Sequence, residues 1–508
     1  MKTYQSVDAK SGEKLPGHFE LFQLEDVNQL VDDAYTAYEQ FKQIAAIQRA
    51  KFLRCIAVEI MALGDELLIR ASQETALSIS RLKSERSRTI NQLNMFADLV
   101  EKGEWVDATL DVKNNSSQGS INIRKQLEPI GPIAVFGASN FPFAYSAAGG
   151  DTASALAAGC SVIVKAHPAH AGASQLVANA IQKSIAQCEL PNKVYQHVHD
   201  IGHEIGQALV LNSKIAAVGF TGSFKGGKAL FDLANQRNIP IPVFAEMGSV
   251  NPVLLLPQAL SEKKDYWAEK YADSITLGMG QFCTNPGILL GIEGEDLVDF
   301  TGLLVAKIKD VQPDFMLHEG ISKAFHEGLE MRKRMSRTTV YEGDNTNLKC
   351  ATPSVTVVSG DSFLKHSSLS EELFGPTTVV VQCADKSELR KCIEVVQGQL
   401  TGTIIASGED FKNFKQEYLL LKQGVGRIIF NGVSTGVEVI SAMHHGGPFP
   451  ATTDARYSAV GPDAIKRFAR PVAYQNFPNE HLPIALKDTN QLNIYRKING
   501  SITKADLN

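Results

Sequence analysis

The stretch IAAVGFTGSFKGGKALFDLANQ, residues 215–236, decides the fold. Ile215 to Phe220 is an apolar run of strand length, a glycine turn follows, and Gly226 to Gln236 reads as a helix. Working outward, the same alternation extends toward the N-terminus. Ile133 to Phe136, Ser161 to Lys165 and Val194 to His199 read as strands. Ala144 to Ala158, Ser174 to Cys188 and Glu204 to Leu211 read as the helices between them. Continuous apolar strands alternating with helices predict an α/β fold, a parallel sheet covered on both faces. Sheets of this kind place ligands at the C-terminal ends of their strands.

The flanks differ. From Asp26 to Val100 the chain reads as helical, with Phe52, Ile56, Ile60, Leu63 and Leu67 on one helical face. Asp111 to Ser120, DVKNNSSQGS, is polar and reads as a loop or hairpin turn, and INIRKQLEPIG after it as an exposed strand. Beyond Asn251 a second α/β region runs to about residue 450, with strand-like TVVVQC, GTIIAS and GRIIFN. The last fifty or so residues are mixed and polar-rich.

A chain of 508 residues can bury large cores without disulfides or metals. Its formal net charge of −5 gives no reason to expect nucleic acid or an anionic membrane as partner. The N-terminus lacks the apolar stretch of a secretory signal, and no run reaches the length of a membrane span. Seven scattered cysteines without a CxxC pair fit a reducing compartment, so a cytoplasmic protein is expected.

Three short signals bear on chemistry. Gly222 to Ala229, GSFKGGKA, nearly matches a P-loop, but Ala229 stands where a Mg²⁺-binding hydroxyl is needed. The milder reading is a glycine turn whose helix N-terminus receives the pyrophosphate of a dinucleotide. Cys283, in GQFCTNPG, is an uncomfortable core filler among glycines and polar residues; alone it fits either a nucleophile or a filler. Glu246, in AEMGSVNP at the end of strand-like IPVFAE, fits either a functional acid or base or a solvated strand end. His444 and His445 lack the spacing of a helical metal pair, and no metal is expected.

Together these motifs resemble the aldehyde dehydrogenase superfamily, in order and over nearly the whole chain. Cys283 resembles the family's nucleophile, Glu246 its general base and Asn140, in SNFPFA, its oxyanion asparagine. Lys165, in VIVKAHP, resembles the lysine at the adenosine ribose. Gly222, Ser223 and Gly227 resemble the phosphate-binding turn. Glu372 and Phe374, in EELFGP, resemble the residues at the nicotinamide ribose. The resemblance implies a Rossmann-type NAD(P)-binding domain of residues 1–111 and 131–248. It also implies a catalytic domain of 249–450, and an oligomerisation arm and tail of 112–130 and 451–508. An arm without a core of its own would pair with a second subunit in a homodimer or homotetramer.

Within the superfamily, VFGASNFPFAYSAAGGDTASALAAGCSVIVKAHPAH, FNGVSTGVEV and HHGGPFPATTDARYSAVG look closest to bacterial 2,5-dioxovalerate (α-ketoglutarate semialdehyde) dehydrogenases. Fatty-aldehyde dehydrogenases of luminous bacteria share much of the pattern and give the alternative substrate, a fatty or general aliphatic aldehyde. A catalytically silent family-shaped binding protein is the alternative of another class. Pro168 stands where NAD-preferring members carry a glutamate, so NADP is expected to enter alongside NAD, helped by His167, His170 and Lys225. His203 lies near an arginine of the luminous-bacterial relatives; it is read either as a 2′-phosphate contact or as a surface helix residue. Arg456 is the expected partner of a substrate carboxylate, and Phe143 and Phe449 the expected funnel lining.

Overall fold

The Ile133–Phe136 tetrad is the centre of a five-stranded parallel sheet that carries one wall of the site. The structure is a computed structural model and describes residues 2–116, 119–345, 347, 349–396 and 398–507. In chain order, a two-residue ladder of β1 (Thr3–Tyr4) and β2 (Phe19–Glu20) precedes four helices. These are α1 (Val27–Phe41), α2 (Ala46–Ala62), α3 (Gly64–Thr75) and α4 (Ile79–Lys102). The single face expected from Phe52 to Leu67 is split: Gly64 takes φ +58° and divides α2 from α3, so Leu67 is buried from a separate helix. Ser78 caps α4 by accepting the Arg81 N–H at 3.3 Å.

The polar segment expected to be a loop is mostly strand. β3 (Thr109–Ser116) pairs antiparallel with β4 (Gly119–Pro129), and the turn between them falls outside the described residues. The polar residues of β3 pair with β4, and β20 (Arg496–Ile498) pairs with β3 only at Thr109 and Leu110. The sheet order is β19-β4-β3-β20-β21, with β19 (Ala469–Gln475) and β21 (Ser501–Thr503) at its edges. Contrary to expectation, this sheet has a small core of its own, formed by Ala108, Leu110, Leu482, Ala485, Leu486 and Ile494.

The alternating region forms β5 (Ile133–Phe136), α5 (Gly150–Ala158), β6 (Val162–Lys165), α6 (Ala171–Gln187), β7 (Tyr195–Val198), α7 (Glu204–Leu211), β8 (Ala217–Thr221), α8 (Phe224–Asn235) and β9 (Val243–Glu246). Its order is β7-β6-β5-β8-β9, all parallel. The register aligns Phe136 with Lys165 and Phe220, Lys165 with Val198, and Thr221 with Glu246. Lys165 and Glu246 therefore emerge at the same C-terminal edge. The helix expected from Ala144 begins only at Gly150. Buried Glu85 of α4 accepts the N–H groups of Phe143 and Ala144 at 2.8 and 3.0 Å and holds that segment as a turn. Gly149 has to be glycine there, since a Cβ would lie 2.5 Å from the Ala144 carbonyl oxygen.

The second region builds a seven-stranded sheet around β10 (Val253–Leu255), β11 (Ile288–Ile292), β16 (Thr377–Cys383), β17 (Gln399–Ile405) and β18 (Val425–Phe430). The expected TVVVQC, GTIIAS and GRIIFN strands are β16, β17 and β18. All neighbours are parallel except an antiparallel edge, β13 (Thr338–Glu342) on β15 (Ser354–Ser359). Apolar clusters cover both faces of this sheet. Among the described residues, no helix is long and apolar enough to cross a membrane.

Candidate active site

Cys283 sits on a turn that only an unusual backbone can make. Gly278, Met279 and Gly280 take φ values of +54°, +55° and +61° in succession. At Gly280 a Cβ would lie 2.2 Å from the Gly375 carbonyl oxygen, so glycine alone lets the nucleophile turn approach the EELFGP segment. Asn251, fully buried at φ +46°, pins the same turn: its Nδ2 donates to the carbonyls of Cys283 and Asn285, each at 2.9 Å. Its Oδ1 accepts from the hydroxyls of Ser249 and Thr401. Sequence reading did not single out Asn251, although a polar residue just ahead of the oily Val253–Leu256 run was the available signal.

Three side chains from separate parts of the chain converge. Cys283 Sγ lies 3.6 Å from His445 Nε2, and His445 Nε2 lies 3.1 Å from Glu246 Oε1. His445 is 2% exposed, and its backbone is fixed at both ends. Its N–H donates to Ser458 Oγ at 3.0 Å and its carbonyl accepts from Ala459 at 2.7 Å. Sequence reading weighed His445 only as a metal-pair partner of His444 and missed this contact. Burial pushes the Glu246 carboxyl up. The charge of His445, hydrogen bonds from His445 and Cys283, and the Arg467 charge outweigh it and hold the carboxyl below the usual range. Burial, and then the Glu246 charge, push the Cys283 thiol well above its ordinary value. The site thus rests as a neutral thiol beside an ionised carboxylate. Asn140 approaches from the other wall, its Nδ2 donating to the Gln281 carbonyl at 3.3 Å.

A cleft beside the nucleophile turn is lined by Ser249, Phe282, Arg332, Glu372 and Phe374 among others. Burial lifts the Glu372 carboxyl to about 8, with Glu246 adding to the push. A Cβ on Gly248 would lie 2.5 Å from Glu372 Oε2, so the glycine of AEMGS makes room for this carboxylate. At the opposite end of the sheet edge, Lys165 Nζ lies 3.5 Å from Asp200 Oδ2 and 3.2 Å from the Asp200 carbonyl oxygen. Asp200 Oδ2 is buried without a hydrogen-bond partner. Between the two ends lies the start of α8. Ser223 caps it by accepting the Gly226 N–H at 3.3 Å, and a Cβ on Gly227 would lie 2.6 Å from Met247 Cγ. The Gly222 N–H donates to the Glu246 carbonyl at 3.0 Å, so the anion-facing amides are those of the following first turn. Lys228 pairs with Asp232 on its own helix at 2.6 Å, which removes the P-loop lysine role.

Several expected residues stand elsewhere. Phe143 is 1% exposed and packs in the main core, because Glu85 fixes its backbone and turns the ring inward; it lines no funnel. Next to Cys283 in sequence, Phe282 instead packs edge-on to Phe141 with centroids 5.8 Å apart, and the Arg81 guanidinium lies 4.4 Å from the Phe282 ring and 5.2 Å from the Phe141 ring. Phe449 is half-exposed against Phe224. Arg456 has its side chain 81% exposed, and its fork is taken by Asp454 at 2.8 and 2.5 Å. Pro168 contributes its carbonyl to the Tyr4 hydroxyl at 2.8 Å. His167 stacks on His170 at 5.6 Å, and burial pushes both well down toward the neutral form, so neither supplies a cation. His203 is exposed at the N-terminus of α7.

Comparison with known proteins agrees with this geometry. Residues 2–448 match the aldehyde dehydrogenase family, and the chain belongs to that family. It is 42% identical to alpha-ketoglutaric semialdehyde dehydrogenase 2 of Azospirillum brasilense, over 98% of this chain and 96% of that protein. It is 40% identical to alpha-ketoglutaric semialdehyde dehydrogenase of Acinetobacter baylyi, over 99% and 96%. Among solved structures it is similar to betaine aldehyde dehydrogenase of Staphylococcus aureus in complex with NAD+, with TM-score 0.79 at 17% identity, covering 94% of this chain and 93% of that one. Glyceraldehyde-3-phosphate dehydrogenase of Methanocaldococcus jannaschii, complexed with NADP, gives TM-score 0.78 at 18% identity, over 93% and 99%.

Proposed function

We propose that this protein oxidises 2,5-dioxopentanoate (α-ketoglutarate semialdehyde) to 2-oxoglutarate with NAD or NADP, through a thiohemiacetal and a thioester on Cys283. The observation that carries the reaction is the Cys283–His445–Glu246 contact, a nucleophile, an imidazole and an ionised base within hydrogen-bonding reach. The Cys283 proton passes to Glu246, with which the thiol shares a hydrogen bond, as sulfur attacks the aldehyde carbon. The Cys283 N–H and Asn140 Nδ2 face the oxyanion that forms. The bound nicotinamide supplies the hydride acceptor. Glu246 then deprotonates the water that releases the acid. A silent binding protein has no need of this arrangement.

The coenzyme site fits the residues present. Glu372 would accept the nicotinamide ribose hydroxyls with Phe374 beside it, the first turn of α8 would meet the pyrophosphate, and Lys165 the adenosine ribose. Asp200 Oδ2, ion-paired with Lys165 Nζ at 3.5 Å, would accept a ribose hydroxyl. It restores from β7's end the carboxylate that Pro168 lacks, and it opposes a 2′-phosphate. Asp200→Asn is therefore expected to raise the ratio of kcat/KM with NADP to that with NAD by about tenfold. An unchanged ratio would separate Asp200 from coenzyme choice.

Arg88 favours the oxo-acid over a fatty aldehyde. It projects from α4 over the Tyr145 ring at 5.3 Å, with Nη2 3.4 Å from the Tyr145 hydroxyl. Nη1 is buried without a partner, and the charge reaches Cys283. Tyr145 packs on Phe141, next to Phe282 and the nucleophile. A guanidinium group with one buried nitrogen left unpartnered suits a distal carboxylate and penalises an alkyl chain. Steady-state oxidation tests this with 2,5-dioxopentanoate and hexanal. Arg88→Met is expected to lower kcat/KM for the oxo-acid by roughly 10- to 150-fold, the worth of a charged hydrogen bond. Hexanal oxidation should change far less. A parallel fall for both, or native preference for hexanal, would overturn the substrate assignment. We assign the β19-β4-β3-β20-β21 sheet to subunit pairing in a homodimer or homotetramer; its edge strands offer unpaired backbone.

A further inference from the structure

The three groups that meet at the nucleophile have the geometry of a transition-metal site. One ligand atom each from Cys283, His445 and Glu246 lies within 4.8 Å of the other two. Zinc holds sulfur at about 2.3 Å, imidazole nitrogen at about 2.0–2.1 Å and carboxylate oxygen at about 2.0–2.2 Å, in a tetrahedron. Those lengths put sulfur and nitrogen about 3.6 Å apart, and nitrogen and oxygen about 3.4 Å apart. The corresponding distances here are 3.6 Å and 3.1 Å, within a few tenths of an ångström of those values, and the sulfur and the carboxylate oxygen lie within 4.8 Å of each other. The donors are held: Glu246 ends a sheet strand in register with Thr221, the His445 backbone is bonded at both its N–H and its carbonyl, and Asn251 pins the Cys283 carbonyl. The other Glu246 oxygen, Oε2, is buried without a hydrogen-bond partner, so the carboxylate ligates through Oε1 alone and one metal position stays open. Thiolate, imidazole and carboxylate together select Zn²⁺ or a similar borderline-soft ion over Mg²⁺ or Ca²⁺.

We propose that Cys283, His445 and Glu246 form an inhibitory Zn²⁺ site that closes the enzyme by ligating its nucleophile. The proposal rests on the proposed function only in that Cys283 and Glu246 are the same groups that would perform the chemistry. On binding, the Cys283 S–H bond breaks, a Zn–S bond forms and the proton leaves to solvent; nothing is oxidised or reduced. The fourth metal position is left to water. Aldehyde is excluded because the sulfur lone pair that would attack it is committed to the metal.

The test uses the full native chain, freed of adventitious metal with chelator. Zn²⁺ is titrated by calorimetry, and Co²⁺ is used as the spectroscopic probe, since thiolate ligation gives a near-ultraviolet charge-transfer band. The expected result is one strong site per chain, with a Co²⁺–thiolate band lost in both Cys283→Ala and His445→Gln. Zinc affinity in these variants should fall at least about 100-fold. In the native chain, Zn²⁺ should slow alkylation of Cys283 by iodoacetamide at least about tenfold, read by peptide mass spectrometry, and chelator should restore it. This arm needs no variant to fold. Absence of the band with unaltered alkylation, or zinc binding that survives both substitutions, overturns the site. The readouts are independent of substrate: a protein inactive on 2,5-dioxopentanoate that shows the band keeps the site and loses the substrate assignment. An active one without the band does the reverse.

Discussion

Replacing Cys283 with alanine is expected to lower kcat/KM for any aldehyde at least about 10⁴-fold, while coenzyme affinity stays within about twofold. The size follows from what the sulfur does. It provides the bond to the aldehyde carbon that makes hydride departure possible, and no neighbour can substitute. Glu246 is occupied as base, and His445 Nε2, at 3.6 Å, lies behind the sulfur rather than in its place. The other six cysteines stand elsewhere; Cys160, Cys350, Cys383 and Cys392 are buried. Coenzyme affinity is spared because the residues that would hold it, Lys165, Asp200 and Glu372, are positioned by strand ends and by the EELFGP segment, not by the thiol. Coenzyme-dependent fluorescence and steady-state rates together check both halves. Appreciable turnover by Cys283→Ala would remove Cys283 as nucleophile.

The groups that would act on the aldehyde were legible where the chemistry imposes short local patterns. Cys283 needs a glycine turn, Glu246 an apolar strand ending in a carboxylate before glycine, and the α8 start a glycine ahead of a helix; each is written in fewer than ten consecutive residues. The groups that flank them were not. His445 is 199 positions from Glu246 and 162 from Cys283, on chain that forms no helix from 431 to 461, so helical spacing was the wrong test for it. Arg88 reaches the site from the middle of a long helix whose other residues read as ordinary helix surface and core. Phe143 misled for the opposite reason: it follows Asn140 by three residues in sequence, but a buried carboxylate 58 positions away fixes its backbone and sends its ring into the core. The β3–β4 strands show the same limit for the fold. The polar stretch from Asp111 reads as a loop or hairpin turn and INIRKQLEPIG as a strand, but the pairing that makes Asp111–Ser116 a strand is set by β4 and not by the stretch's own composition.

Glu246→Gln is expected to separate the two halves of the reaction: a burst approaching one reduced coenzyme per chain, followed by turnover lowered roughly 10²- to 10⁴-fold. Two consequences of the substitution oppose each other before the thioester forms. The base for the Cys283 proton is lost, which slows attack. The Glu246 charge, the second cause after burial of the raised Cys283 thiol, is lost as well, which makes the thiolate easier to form. The easier ionisation of the thiol offsets the loss of its base, so acylation persists. After the thioester forms nothing compensates. Water is a far weaker acid than the thiol and needs a carboxylate beside it, which glutamine cannot provide. Acylated Cys283 should therefore accumulate and be trapped by rapid acid quench as a mass increase on its peptide. Equal loss of burst and steady-state rate would place Glu246 in acylation instead, and an unchanged steady-state rate would remove it from the chemistry.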